Sequence, residues 1–311
     1  MIALDAVAAY LPDRRVPIGQ LAGPLGLTQS ELRVLRRFHG LSEVRRQGTD
    51  GLPIDLLTAA VKAMPELSGR EQQVRYVLYA RGVPVATPYS VNPLYELCQL
   101  LGLSKAIPFT VTHHACATSL LAVDIAGRLL MADGDPEALA LVVAGETVFT
   151  ADLELAPESR VFGEGAGACL VSYNGARDRV LSYVSRQRGD LDHWLTPDSD
   201  AAKRFAAEYR ELLAEVITAA VHKAGLRLED IDLILPHNVN IVSWQRVCKL
   251  LGYPVSRVLL DNVPLVGHTF AADAFINHRS AISRNLLNFG DRYLVAAAGF
   301  GATFSAMVLE H

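Results

Sequence analysis

The residues best suited to chemistry are Cys116, His237 and His268. Cys116 lies in Ile107-Pro-Phe-Thr-Val-Thr-His-His-Ala-Cys-Ala-Thr-Ser-Leu-Leu121, which predicts a buried strand, a tight turn and a helix beginning at the cysteine. Unpaired N–H groups and the positive end of the helix dipole favour a thiolate at such a place, so the position suits a nucleophile. By itself Cys116 reads equally as a small core residue. His237 closes the apolar run Ile231 to Leu235 in Leu-Pro-His-Asn-Val-Asn240, and His268 stands in Val-Gly-His-Thr-Phe270. Both are predicted at strand ends, where α/β proteins place their chemistry. Each histidine alone would suit the pairing of backbone groups. With Cys116 they read as a thiol that accepts an acyl group and two imidazoles that move protons or polarise a carbonyl.

The elements that must position these groups follow an alternating grammar. Thr28-Gln-Ser-Glu31 carries a capping box that opens a helix ending near Gly40. Strands are predicted at Ile2 to Leu11, Glu43 to Arg46, Val74 to Ala80, around Phe109 and at Ala138 to Gly145, with helices through Ile54 to Met64, Pro93 to Leu101 and from Cys116. In the last of these, Leu121, Ile125 and Leu129 form an apolar stripe. A second series follows: a strand at Val180, a helix from Asp200 to Ala224, strands at Ile231 and Val258, helices at Ser243 to Leu251 and Ala272 to Leu287, and strands at Tyr293 to Ala298 and Thr303 to Leu309. Phe162 to Val171 and Gly299 to Val308 give both series a glycine-punctuated β ending. The reading is an α/β chain of two duplicated halves, residues 1–173 carrying the cysteine and 174–311 carrying both histidines.

Composition narrows the function classes. The 311 residues are half hydrophobic and carry a formal net charge of −4, with no basic stripe of the kind nucleic-acid binding needs. No apolar run reads as a membrane span and the N-terminus lacks the features of a signal peptide, so a cytoplasmic protein without a membrane partner is expected. Cys98, Cys116, Cys169 and Cys248 are far apart; they read as reduced thiols, with no metal spacing. All but Cys116 fall on periodic apolar segments and read as packing residues.

Ala-Cys116, Phe162-Gly-Glu-Gly-Ala-Gly167, Pro236-His237-Asn-Val-Asn240, Gly267-His268-Thr269 and Gly299-Phe-Gly301, in this order, resemble the ketoacyl-acyl-carrier-protein synthase III branch of the thiolase superfamily. The resemblance covers essentially the whole chain. It implies a thiolase-like fold, five layers αβαβα from two duplicated halves, usually as a homodimer. It also implies an acyltransferase without a cofactor, using acyl-coenzyme A or acyl-carrier-protein thioesters in fatty acid, polyketide or related biosynthesis. Cys116 then resembles the acylated nucleophile and His237 the family histidine, while His268 replaces the family asparagine. Asn240 resembles a structural or water-holding residue, and the backbone N–H groups near Gly301 and Ala302 complete an oxyanion hole with that of Cys116. Val34 and Phe38 stand where the family grips adenine, Val242 where it meets the carrier, and only Arg160 lies near another expected arginine. His113 and His114 before the nucleophile read as structural, and Glu164 as a turn anchor.

The expected reaction is decarboxylative Claisen condensation with a malonyl thioester after acylation of Cys116. The alternatives are non-decarboxylating acyl transfer to a hydroxyl or amine, and a non-catalytic thiolase-fold partner subunit. A histidine at position 268 can act as a base where an amide cannot.

Overall fold

A computed structural model describes residues 1–48, 51–83, 92–148, 161–192 and 199–311. In chain order its elements are β1 (Ile2–Tyr10), β2 (Arg15–Pro17), α1 (Ile18–Leu21), α2 (Gln29–Arg37), β3 (Glu43–Arg45), α3 (Pro53–Lys62), β4 (Val74–Ala80), α4 (Pro93–Leu100), β5 (Ile107–Val111), α5 (Thr118–Asp133) and β6 (Leu139–Glu146). They continue with β7 (Gly165–Tyr173), β8 (Arg179–Gln187), α6 (Asp200–Lys223), β9 (Leu233–Pro236), α7 (Ile241–Leu251), α8 (Val263–Val266), α9 (Asp273–Ser283), β10 (Arg292–Gly299) and β11 (Thr303–Glu310).

Among the described residues nine strands form one sheet in the order β5-β4-β6-β7-β1-β8-β11-β10-β9. The two series repeat one topology. In the first, β4 is parallel to β5 and β6, β6 is antiparallel to β7, and β7 is antiparallel to β1. In the second, β9 is parallel to β10 and bridges Val258 in parallel, β10 is antiparallel to β11, and β11 is antiparallel to β8. The series meet where Ala3 in β1 pairs with Arg179 in β8.

Side-chain alternation turns this surface into layers, because successive strand residues face opposite sides. Val77 and Tyr79 of β4 pack with Leu56, Leu57 and Ala60 of α3 and Leu97 of α4, whereas Leu78 and Ala80 face inward. Leu294 and Ala296 of β10 pack with Leu212, Val216 and Ile217 of α6, and Val295 and Ala297 face the other way. Residues of α5 and α9 fill the space between the inner faces. The layers are therefore α3/α4, first series, α5/α9, second series, α6/α7: the thiolase-like αβαβα arrangement.

The capping box at Thr28 is present, its hydroxyl accepting from Glu31 N and the Glu31 carboxylate accepting from Thr28 N. Four local expectations need correction. Val258 forms an isolated bridge rather than a strand. The last helix ends at Ser283 instead of Leu287. Leu121, Ile125 and Leu129 are only half-buried; Leu120, Val123, Ala126 and Leu130 are the residues α5 buries. That neighbouring face is the one packed between the two series. Finally, the helical run Ala115–Asp133 is long and apolar enough by length and composition to cross a membrane, contrary to the sequence expectation. More than half of it is buried between the two series.

Candidate active site

Cys116 sits in a strained turn. After β5 the chain passes through left-handed backbone at His113 and Ala115, a conformation L-residues seldom adopt except under tertiary constraint. Cys116 falls in a single 3₁₀ turn, Ala115–Ala117, and α5 itself begins at Thr118. The expected helix start is displaced by two residues, and Cys116 stays in the first helical turn. Thr118 Oγ1 donates to Ala115 O at 2.7 Å and fastens the turn. Gly299, at the end of β10, presses against it: a Cβ there would lie 2.4 Å from His114 O and 2.9 Å from Cys116 N. Only glycine allows that approach.

His237 and His268 converge on Cys116 from the second series. All three line one cavity with Phe162, Phe205, Tyr209, Val239 and the backbone at Ala298, Gly299 and Phe300. The two imidazole centroids are 5.9 Å apart, their planes at 75°. His268 is fixed by a backbone exchange with the first series: Gly163 N donates to His268 O at 2.8 Å. A Cβ on Gly163 would meet Val266 O at 2.1 Å, so this segment too must be glycine. Phe162 packs at 5.2 Å from His268 and stacks on Phe270 at 4.5 Å.

The environments of the two histidines differ sharply. His268 Nδ1–H donates to Asp273 Oδ2 at 2.5 Å, both side chains being almost fully buried. The Cys116 sulfur lines the same cavity and acts on His268 electrostatically; with Nδ1 committed to Asp273, Nε2 is the nitrogen left for it. Burial opposes a charge on His268, but the Asp273 carboxylate and the Cys116 sulfur outweigh it and push its pKa up to about 10. Burial likewise works against the Asp273 charge. The proximity of His268, with N–H and O–H donors from Asn238 and Thr269, nevertheless holds that carboxyl below its usual range. Asn238 N donates to Asp273 at 2.6 Å, Thr269 N at 2.8 Å and Thr269 Oγ1 at 2.6 Å.

His237 has no such carboxylate. Its Nε2 shares a 2.6 Å hydrogen bond with the Tyr209 hydroxyl, and its Nδ1 has no partner among the described residues. Its backbone is clamped between Ala296 O, at 3.0 Å, and Trp244 Nε1, at 2.9 Å. Burial, reinforced by the neighbouring His268 charge, depresses its pKa to about 3. His237 is therefore neutral near neutral pH, with Nε2 already bonded to Tyr209. Glu146 is a further buried titratable group beside the site. Burial pushes its pKa up to about 7 against N–H bonds from Val83 and Gly82.

The expected support residues divide. Asn240 caps α7, its side chain accepting from Ser243 N at 2.7 Å. Gly301 is exposed and left-handed, beyond the lining residues of the cavity. Ala302 does not fit the oxyanion role, because its N–H is committed to Arg188 O at 3.2 Å in a reciprocal pair. Edge pairing of the loop with the end of β8 takes up that donor. Glu164 anchors its turn by accepting from Gln47 N and Val148 N. His114 pairs its Nε2 with the Gln187 amide. Cys98, Cys169 and Cys248 are buried, and burial raises all three thiols. Val34 and Phe38 are exposed on and just after α2; Arg160 lies outside the described residues.

The sequence reading missed Asp273 and Tyr209. Asp273 carried a local signal, an acid five residues after His268 in the first turn of a helix. Tyr209 carried none, since it occupies an ordinary apolar-face position of α6, twenty-eight residues before the histidine it meets.

Residues 221–311 match the family profile described as 3-oxoacyl-[acyl-carrier-protein (ACP)] synthase III C terminal. The beta-ketoacyl-[acyl-carrier-protein] synthase III of Coxiella burnetii (strain RSA 493) is 25% identical over 323 residues, covering 99% of this chain and 98% of its own. The crystal structure of 3-oxoacyl-[acyl-carrier-protein] synthase III from Aquifex aeolicus superposes with a TM-score of 0.84 at 21% identity, with both chains covered in full. A structure described as ChlB3, an acyltransferase, superposes with a TM-score of 0.85 at 23% identity, over 99% of this chain and 97% of that one.

Proposed function

We propose that this chain, similar to the beta-ketoacyl-[acyl-carrier-protein] synthase III proteins, is an acyltransferase that carries an acyl group from a thioester through Cys116 to a hydroxyl or amine acceptor without decarboxylation. The carrying observation is the Cys116–His268–Asp273 relay, in which Asp273 holds His268 Nδ1 at 2.5 Å and leaves Nε2 to the sulfur. A buried carboxylate that fixes the tautomer and stabilises the imidazolium is the arrangement that lets an imidazole serve alternately as acid and base.

The donor is an acyl-carrier-protein or coenzyme A thioester. The Cys116 sulfur attacks its carbonyl, and His268, carrying the proton, delivers it to the departing thiol. Delivery of that proton leaves His268 neutral and able to act as a base, with Asp273 still holding Nδ1. It then takes the acceptor's proton as oxygen or nitrogen attacks the acyl carbon. Collapse of the adduct returns the pair to the sulfur and completes the cycle with the proton on His268.

Condensation would ask something different of the site: two imidazoles free to donate to a malonyl carbonyl as carbon dioxide leaves. Here His237 Nε2 is occupied by Tyr209, and His268 is tied to a carboxylate that favours its charged form. Both features weigh against condensation and for transfer.

Intact-protein mass after exposure to a panel of acyl-coenzyme A and acyl-carrier thioesters tests the proposal, with Cys116→Ala as control. Expected is an adduct confined to Cys116 that persists with malonyl thioester and clears with an alcohol or amine. Discharge by malonyl thioester with release of carbon dioxide would establish condensation instead. No adduct with any donor would leave a non-catalytic partner subunit as the better reading.

A further inference from the structure

Away from Cys116, Asp178, His278 and His311 converge from three elements. Asp178 occupies the turn between β7 and β8 in left-handed backbone, and its carbonyl accepts from Leu4 N of β1 at 3.1 Å where the two series join. His278 comes from α9 in the central layer, and His311 follows β11. One ligating atom from each residue falls within 4.8 Å of the others. None of the three lines the cavity at Cys116.

We propose that these three side chains, all from the second series and beside its seam with the first, bind a divalent transition-metal ion, zinc(II) by preference. His278 provides the independent pointer. It is 5% exposed, yet neither ring nitrogen has a hydrogen-bond partner among the described residues. Its Nε2 lies 3.2 Å from Asp178 Oδ2 without hydrogen-bonding geometry. A buried imidazole left in that state is costly, and a ligated ion satisfies it. The separations also suit the ion. Tetrahedral bonds of about 2.0–2.1 Å place ligand atoms about 3.3 Å apart; His278 Nε2 lies 3.2 Å from Asp178 Oδ2, while the 2.8 Å hydrogen bond between His311 Nδ1 and Asp178 Oδ1 would give way to ligation. The buried Tyr293 hydroxyl donates to Asp178 Oδ1 at 2.8 Å and orients the carboxylate, the outer-shell support such ligands require. Two imidazoles and one carboxylate favour zinc or its neighbours over calcium or magnesium. No ligand spacing announced this group, since the three residues come from separate elements.

Chelator-treated full-length chain is titrated with zinc(II) by calorimetry and melted with and without the ion. We expect one equivalent bound, a melting temperature raised by several degrees, and binding weakened at least about tenfold in His278→Ala and in His311→Ala. Cobalt(II) should give ligand-field bands without a sulfur charge-transfer band, and Cys116→Ala should bind zinc as the parent does. His311 is at the rim of the group, so its truncation decides the matter if His278→Ala fails to fold, as judged by metal-free melting. Unchanged affinity in His311→Ala, no binding at all, or binding that disappears with Cys116→Ala would overturn the proposal.

Discussion

Replacing Asp273 by asparagine probes the relay most directly, because the change is nearly isosteric and removes only the charge that holds His268. The pKa of His268 rises from an ordinary 6.5 to about 10, which at ~1.4 kcal/mol per tenfold is about 5 kcal/mol of preference for the imidazolium. Asp273 and Cys116 share that preference, so losing the carboxylate removes the larger part of it. The amide brings a second problem. Asp273 Oδ1 accepts from Thr269 N, Thr269 Oγ1 and Asn238 Nδ2, and Oδ2 from Asn238 N and His268 Nδ1. An NH₂ group on either side faces at least one donor, which drives His268 toward the wrong tautomer. By analogy with relays of this kind, turnover should fall by roughly 10²–10⁴-fold. Asp273 acts through His268, so a fold defect alone must be separated from a proton-transfer defect. The rate of Cys116 alkylation by iodoacetamide, followed against pH by intact mass, does this. The wild-type profile should keep its imidazolium limb up to about pH 10; in Asp273→Asn that limb should retreat toward the ordinary histidine range. Turnover within about twofold of wild type, with an unshifted alkylation profile, would refute the relay.

Tyr209→Phe releases His237 Nε2 from its 2.6 Å bond; acyl transfer should change by less than about tenfold, while carbon dioxide release from malonyl thioester should appear or increase over wild type. Unchanged release would show that Tyr209 does not restrain His237. Gly299→Ala places a methyl 2.4 Å from His114 O, and acylation of Cys116 should slow at least about tenfold, with stability lowered by ~1–3 kcal/mol as an overpacking change; normal acylation by mass would contradict the packing argument. The pH dependence of melting has a definite sign. His268, raised in the folded state, contributes stability in full below about 6.5 that is lost as pH rises through about 10. His237, depressed to about 3, makes stability fall as pH drops from 6.5, and Asp273 adds to this acid loss as pH falls through its lowered value. The alkaline decline should flatten in His268→Asn, and an identical slope would dissociate it from this residue.

Much of this protein was legible in the linear chain because neighbouring residues fix it. Alternation of strand and helix patterns, the Thr28 capping box and the glycine-punctuated β endings specified the repeated α/β frame. The turn around Cys116 and His237 at the end of β9 marked the site before any distance was known, whereas His268, expected at a strand end, follows α8 and pairs with Phe162 in an isolated bridge. Local pattern also misled in places. Ala302 looked available from its place in a glycine-rich loop, but pairing with Arg188, more than a hundred residues away, takes its N–H. The four-residue stripe of α5 at Leu121, Ile125 and Leu129 is only half-buried, and the neighbouring face of Leu120, Val123, Ala126 and Leu130 is the one packed between the two series.

The chain itself determined which chemistry was within reach: a thiol at a helical turn and two imidazoles, on a duplicated frame. Only the tertiary structure decided how those imidazoles are used. A histidine's protonation depends on what lies within a few ångströms after burial, and those neighbours come from other elements. Asp273, at the start of α9, holds His268 towards its charged form; Tyr209, from α6, occupies His237 Nε2, and burial beside His268 keeps that imidazole neutral. Residue type and spacing supplied the two histidines as equals, and burial with a carboxylate beside only one of them made them different.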